Sequence, residues 1–213
     1  MLIVFEGIDG SGKSTQYRLL QEYLTTNRIA FKARSFPRYD EPSSALIKLY
    51  LSGAFGSDPD SVNPFAAASF YAVDRFASYK TDWKSYYDAG GLIILDRFSG
   101  SNAIHQGAKF ADSDRRREFF KWLEEYENTL LDLPKPDITI FCRIDPQSAI
   151  ERVTLRGADK DIHERDFSYI YHCADAADAA AEYFQWTVTD ASKSIDAVHE
   201  EVLQIVAGRI HQV

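Results

Sequence analysis

The sequence predicts an α/β fold, a mostly parallel sheet covered by helices on both faces, and three observations predict it. Gly7 to Ser14 fits G-x-x-x-x-G-K-S/T, the phosphate-binding loop. The loop follows the apolar run Leu2-Ile3-Val4-Phe5, short enough for a buried strand, and precedes Tyr17 to Leu24, where Leu20, Tyr23 and Leu24 have helical spacing. Apolar runs then alternate with helical patterns to the end of the chain, which argues for parallel strands joined by crossover helices.

In order, Ile29-Ala30-Phe31-Lys32-Ala33 is expected as the second strand. Phe70 to Arg75 is helical in character, with Tyr71 and Arg75 four apart on one face. Leu92-Ile93-Ile94-Leu95 is the third strand. Phe119, Trp122, Leu123, Tyr126 and Leu130 mark one face of a helix, and Leu133-Pro134-Lys135-Pro136 is a rigid loop behind it. Ile138 to Cys142 is a fourth strand and Phe184 to Val188 a last one. Ile195, Val198, Val202, Ile205 and Ile210 mark the closing helix. No repeat, low-complexity tract or linker divides the chain, so residues 1–213 are expected to form one domain.

Composition narrows the partners. A length of 213 residues suits one sizeable core, and 45% apolar with 26% charged residues is ordinary for a globular protein. With 24 basic and 32 acidic residues the net charge is −8, so the surface as a whole should repel nucleic acid. A phosphate site must then be a local basic pocket in an acidic protein. No apolar stretch approaches membrane-spanning length, and the first residues lack the charged start of a signal peptide. Cys142 and Cys173 have no metal spacing, and Cys142 ends an apolar run, where a reduced core thiol is expected. The compartment expected is the cytoplasm.

The loop carries the first chemistry. Gly7, Gly10 and Gly12 let the backbone curl around a polyphosphate with its N–H groups inward, and the following helix start adds further N–H groups. Lys13 would reach the β- and γ-phosphates, and the Ser14 hydroxyl would ligate Mg²⁺. Four further stretches lie where ligands of such sheets bind, near the carboxyl ends of strands. Ser35-Phe36-Pro37-Arg38-Tyr39 offers an arginine for a phosphate, and an aromatic ring and a proline to wall a base. Asp96-Arg97-Phe98 follows a strand, where a carboxylate commonly holds Mg²⁺ through water and a guanidinium can clamp phosphates. Tyr71 with Arg75 suits a planar base, and Ser101-Asn102-Ala103-Ile104-His105-Gln106 adds an amide that can donate and accept together. The run from Arg152 to Arg165, with Arg156, Gly157, Lys160, Asp161, His163 and Glu164, reads as a lid over phosphates at about 152–166. His163-Glu164 is not H-E-x-x-H, so no zinc site is expected there.

Taken together, Phe5-Glu6-Gly7-Ile8-Asp9-Gly10-Ser11-Gly12-Lys13-Ser14-Thr15, Phe36-Pro37-Arg38-Tyr39, Ala72-Val73-Asp74-Arg75, Leu95-Asp96-Arg97-Phe98 and Leu133-Pro134-Lys135-Pro136-Asp137 resemble, in order, the motifs of thymidylate kinases. The resemblance runs from Met1 to about Asp166 and more weakly beyond. It implies a P-loop NTPase fold with a five-stranded parallel sheet flanked by helices on both faces, and a homodimer. It also implies transfer of the ATP γ-phosphoryl group to dTMP with Mg²⁺. By that resemblance Gly7, Asp9, Gly10, Ser11, Gly12, Lys13, Ser14 and Thr15 bind ATP, and Asp9 also accepts from the sugar 3′-hydroxyl. Arg38 and Arg97 hold the acceptor phosphate, and Asp96 lies near the metal. Tyr71 stacks on the base, Arg75 and Asn102 read its edge, and Pro37, Tyr39 and Ser101 belong to the same pocket. The loop has Gly10 and Ser11 and no arginine, so a lid arginine, Arg156 first, should serve in catalysis. Asp161 and Glu164 resemble lid acids near nucleotide and metal. Two positions depart from the family pattern. Phe98 stands where tyrosine is common. His105, smaller and polar, stands where bacterial members often carry a tyrosine that crowds a ribose 2′-hydroxyl.

Two other readings are open at this level. A kinase for another nucleotide or a deoxynucleoside shares the loop, although a nucleoside acceptor needs a carboxylate to take its hydroxyl proton and Arg38 and Arg97 favour a monophosphate. A nucleotide-dependent switch also shares it, but the N-K-x-D guanine motif is absent.

Overall fold

The computed structural model describes residues 1–56, 58–156 and 167–210. Five strands form one sheet: β1 (Leu2–Glu6), β2 (Phe31–Ser35), β3 (Leu92–Asp96), β4 (Ile138–Arg143) and β5 (Thr187–Asp190). All neighbours are parallel, in the order β2-β3-β1-β4-β5. The helices are α1 (Lys13–Thr26), α2 (Ala45–Leu51), α3 (Pro64–Ser78), α4 (Lys84–Asp88), α5 (Ser99–His105), α6 (Ser113–Glu124), α7 (Pro146–Arg156), α8 (Phe167–Tyr183) and α9 (Ile195–Ile210). None of the described helices is long and apolar enough to cross a membrane.

Side-chain alternation along β1 explains the two-sided core. Ile3 and Phe5 pack with Leu20 and Leu24 of α1 and with Val202 and Val206 of α9. Leu2 and Val4 face the other way, onto Tyr79, Trp83 and Phe98. Cys142 sits in the first of these layers and burial pushes its thiol up to about 11, so it is the inert core thiol expected of it.

Two strands start later than their apolar runs suggest, for one shared reason. Arg28 (φ 58°) and Gln185 (φ 55°) adopt the left-handed conformation that ends a helix. The Ile29 N–H then returns to the Leu24 carbonyl at 2.9 Å, and the Trp186 N–H to the Ala181 carbonyl at 2.9 Å. These residues close α1 and α8 before β2 and β5 can begin. Glycine usually announces such a stop, and here neither position has one.

The expected helical face ending at Leu130 also needs correction. Phe119 and Leu123 are buried, but Leu130 is 69% exposed and Glu127 is fully buried. The cause is a wide π turn over Glu125–Leu130, which puts more residues in each turn and rotates the buried face. A similar turn over Tyr79–Trp83 joins α3 to α4.

Candidate active site

The loop between β1 and α1 curls as its glycines predict. Gly10 has φ 81°, and a Cβ there would stand 2.4 Å from the Ala149 carbonyl oxygen of α7, so both conformation and contact require glycine. The curl folds back on Lys13, whose Nζ donates to the Ile8 carbonyl at 3.2 Å and lies 3.6 Å from Asp9 Oδ1. Burial, and then the charge of Arg97, pull the Lys13 ammonium below its ordinary range, against Asp9 and Asp96. Ser11 Oγ is buried in the same loop without a hydrogen-bond partner. Thr15 lies in the first turn of α1, its N–H on the Gly12 carbonyl at 3.0 Å.

The pairing of β1 with β3 sets Phe5 opposite Asp96, so the loop and the end of β3 meet. Ser14 Oγ donates to Asp96 Oδ2 at 2.7 Å, and Asp96 Oδ1 is buried with no partner. A hydroxyl and an unsatisfied carboxylate oxygen side by side are oxygen donors of the type a hard cation takes, though only two of the roughly six or more it needs. Among the described residues no cluster of three acid, histidine or cysteine side chains could hold a metal.

Arg97 turns the chain out of β3. Its φ of 67° is left-handed, and its N–H donates to the Phe5 carbonyl at 2.9 Å, a bend that carries the side chain back over the loop. There Nη2 donates to Asp9 Oδ1, while Nη1 reaches Ser101 Oγ at 3.3 Å and His105 Nε2 at 3.2 Å. Burial works against the charge, but Asp9, Asp96 and Glu6 more than offset it and hold the guanidinium firmly protonated, with Tyr39 contributing.

On the other side of the cleft, Arg38 follows β2 and the cis Phe36–Pro37 peptide. Its N–H and Nε both bond the Asp74 carboxylate, at 2.9 and 3.2 Å, and Nη2 bonds Ser43 Oγ at 2.9 Å. Asp74 of α3 thus orients the arginine from below. Pro37 is half-buried and Tyr39 exposed at the rim. One turn along α3, Tyr71 stands edge-on to Tyr50, with ring centroids 6.5 Å apart. Arg75 makes a bidentate pair with Glu127, Nε at 2.8 Å and Nη2 at 2.5 Å, and only 2% of its surface is exposed. Asn102 joins this cluster, donating to Glu127 Oε1 at 3.1 Å and to the Ala68 carbonyl at 3.0 Å.

Three neighbours have contacts that the motifs do not announce: Glu6, which the loop motif contains without a role, Glu127, which no motif contains, and Arg152, read only as the start of the lid run. Glu6 ends an apolar strand, fully buried, and accepts from the Phe98 and Ser101 N–H groups at 2.7 and 3.0 Å and from Ser101 Oγ at 2.6 Å. Burial raises its carboxyl to about 7, although these bonds and the charges of Arg97 and Lys13 pull the other way. Its trace in the sequence is an acid where the strand pattern calls for an apolar residue. Glu127 was masked by the π turn. Arg152 of α7 lies beside the loop, one nitrogen 3.8 Å from where a Gly12 Cβ would stand and the other on the Ala191 carbonyl at 3.1 Å. Arg156 ends α7, but its side chain, like Asp161 and Glu164, lies outside the described residues.

Comparison with known proteins bears on this site. A family model described as "Thymidylate kinase" matches residues 5–202. The chain is similar to a protein of Pyrobaculum aerophilum named "Probable thymidylate kinase", 31% identical, with 96% of this chain and 95% of that one covered. It is also similar to the thymidylate kinase of Synechococcus, 30% identical over 92% and 91% of the two chains, and to that of Mycobacterium tuberculosis, 31% identical over 78% of each.

Proposed function

The chain belongs to the thymidylate kinase family, and from that premise we propose how its residues phosphorylate dTMP to dTDP with ATP as donor. The observation that carries the mechanism is the convergence of Lys13 and Arg97 on one atom, Asp9 Oδ1. One cation belongs to the donor loop and the other to the acceptor side, and both are within reach of the point where a phosphoryl group would pass between them. When the two phosphates bind, each cation exchanges Asp9 for phosphate oxygens, and Asp9 becomes available to the sugar 3′-hydroxyl.

The acceptor is already an anion, so no strong general base is required. A dTMP phosphate oxygen attacks the γ-phosphorus in line while the bond to the β–γ bridging oxygen breaks and ADP leaves. Catalysis then rests on position and charge. Lys13 and the loop N–H groups hold the donor; Arg38, itself oriented by Asp74, and Arg97 hold the acceptor. Ser14 and Asp96 would hold Mg²⁺, with Glu164 as a further candidate, and the unsatisfied Asp96 Oδ1 supports this. When bound, the ion neutralises charge on the β- and γ-phosphates. Arg156, at the foot of the lid at about 152–166, is the reading's second catalytic arginine.

For the base, Tyr71 stacks and Arg75 and Asn102 read the edge. Glu127 takes two nitrogens of Arg75, which leaves Nη1 as the donor for a base carbonyl. The reading includes a single domain, a homodimer and a cytoplasmic location; the free, buried cysteines support the last.

The test is ADP release with ATP and Mg²⁺ against dTMP, dUMP, UMP, dCMP, dGMP, thymidine and a no-acceptor blank. We expect strong preference for dTMP over dUMP and thymidine. Comparable use of UMP would show a sugar site opened at His105, and acceptors indistinguishable from the blank would overturn the kinase reading.

A further inference from the structure

His105 is in contact with the clamp of the acceptor phosphate, and its two ring nitrogens have different partners. Nε2 lies 3.2 Å from Arg97 Nη1, and Nδ1 lies 3.6 Å from Cys173 Sγ of α8. A guanidinium has only donors, so the contact with Nη1 requires a lone pair on Nε2. A neutral imidazole has a single N–H, which must then sit on Nδ1 and point to the Cys173 sulfur. An imidazolium would offer Arg97 no acceptor and would add a like charge beside it. Cys173 suits this role as a neutral thiol, since burial pushes it well above the ordinary thiol range, with Asp9 contributing. The backbone is held too, because the Tyr169 hydroxyl of α8 donates to the His105 carbonyl. Among the described residues, the charged and titratable groups that touch the ring or its carbonyl include Arg97, Cys173 and Tyr169, with Asp9 beside Arg97 and Lys109 acting on Cys173.

We propose that His105 is a positioning residue for Arg97: Nε2 fixes the guanidinium by accepting from Nη1, which leaves the single ring N–H on Nδ1, where the Cys173 sulfur accepts it. Nη2 is held by Asp9, which phosphates replace; Nη1 is held by His105, which they need not replace. The arginine thus keeps its Nη1 contacts, His105 at 3.2 Å and Ser101 Oγ at 3.3 Å, while the Nη2 bond is exchanged for substrate. The inference rests on the thymidylate kinase reading for what Arg97 does, though not for the tautomer. It also gives His105 a task of its own at the position where bacterial members of the family often carry a sugar-crowding tyrosine.

Two readouts test it. In the intact, ligand-free protein, ¹⁵N-histidine NMR at pH 8 should show His105 as the Nδ1–H form, with the signal assigned by its loss in His105→Gln. An Nε2–H form or an imidazolium overturns the proposal, whatever the enzyme acts on. In the kinase assay, His105→Phe should lower kcat about tenfold or more, the scale of a charge-assisted hydrogen bond, with KM for ATP nearly unchanged. His105→Gln, whose amide oxygen can accept near the Nε2 position, should recover most of that loss. Adding His105→Phe to Arg97→Ala should cost nothing further. Full turnover in His105→Phe, equal loss in His105→Gln, or additive loss in the double variant overturns the positioning role. A wild-type protein inactive on dTMP would defeat the functional reading while leaving the NMR result to decide the tautomer.

Discussion

Glu6 illustrates how one residue can serve a site without touching substrate. Its carboxyl lies on the sheet face where Leu2 and Val4 are apolar, and it is tolerated there because three donors of the Phe98–Ser101 turn satisfy it. Its folded value of about 7 lies above the 4.5 of the free side chain. Between these values the folded state binds more protons than the unfolded one, so stability falls as pH rises. The contribution is complete below about 4.5 and lost through about 7. Glu6→Gln reproduces the protonated acid, with its oxygen accepting from two N–H groups and its amide donating to Ser101. We expect the unfolding free energy of the wild type, read from urea titrations, to fall more than that of Glu6→Gln between pH 5 and 8, by a difference on the order of 3 kcal/mol. Parallel pH profiles would show that Glu6 is ionised throughout. At the same scale, Arg97, Asp96 and Ser14 were legible from their positions in the sequence, whereas the contacts of His105 were not. A histidine reads the same in a sequence whether its ring meets a sugar or a guanidinium.

Among the elements, the seven residues of α5 include three of those proposed for the acceptor side, Ser101, Asn102 and His105. The helix is too short to be stable alone and depends on what holds it: Glu6 at its start, α8 along its length and Arg97 just before it. Gly100 makes the close approach possible. A Cβ there would stand 2.7 Å from the Trp186 ring and 2.8 Å from Glu6 Oε1, and the oxygen cannot retreat without breaking its two N–H bonds. Gly100→Ala should therefore cost about 1–3 kcal/mol, read as a fall in Tm of about 2–4 °C per kcal/mol for a chain of this size. Because α5 must shift, kcat should drop as well; an unchanged Tm would show that the helix has room. The other element that matters is the π turn at Glu125–Leu130. It brings Glu127 under Arg75 and so fixes the arginine assigned to the base edge.

At the scale of the whole molecule, an acidic chain must attract polyanions through a local field. In the proposed function Lys13, Arg38, Arg97 and Arg152, which lie about the phosphate loop and the segments after β2 and β3, would supply it. Leu46 and Leu49 on α2 and Val73 on α3 are each nearly half exposed, on two helices that pack together. They support the second copy included in the proposed function. Sedimentation should show a species of twice the chain mass, and Leu49→Asp should shift it toward the single chain. A wild type that sediments as one chain at all concentrations would remove the dimer from the reading.

The sequence by itself determined the α/β architecture, the phosphate loop, the cations after β2 and β3 and the closing helix. Each of these is a local signal, whether glycine spacing, apolar periodicity or a charged residue at a strand end. Only the tertiary structure decided that Glu127 is buried, that Glu6 caps α5, that Lys13 and Arg97 share Asp9, and that His105 stands between Arg97 and Cys173. The physical reason is the same in each case. A polar side chain's role is set by the partner that satisfies it, and here those partners lie on other elements, brought near only when the sheet and its helices pack.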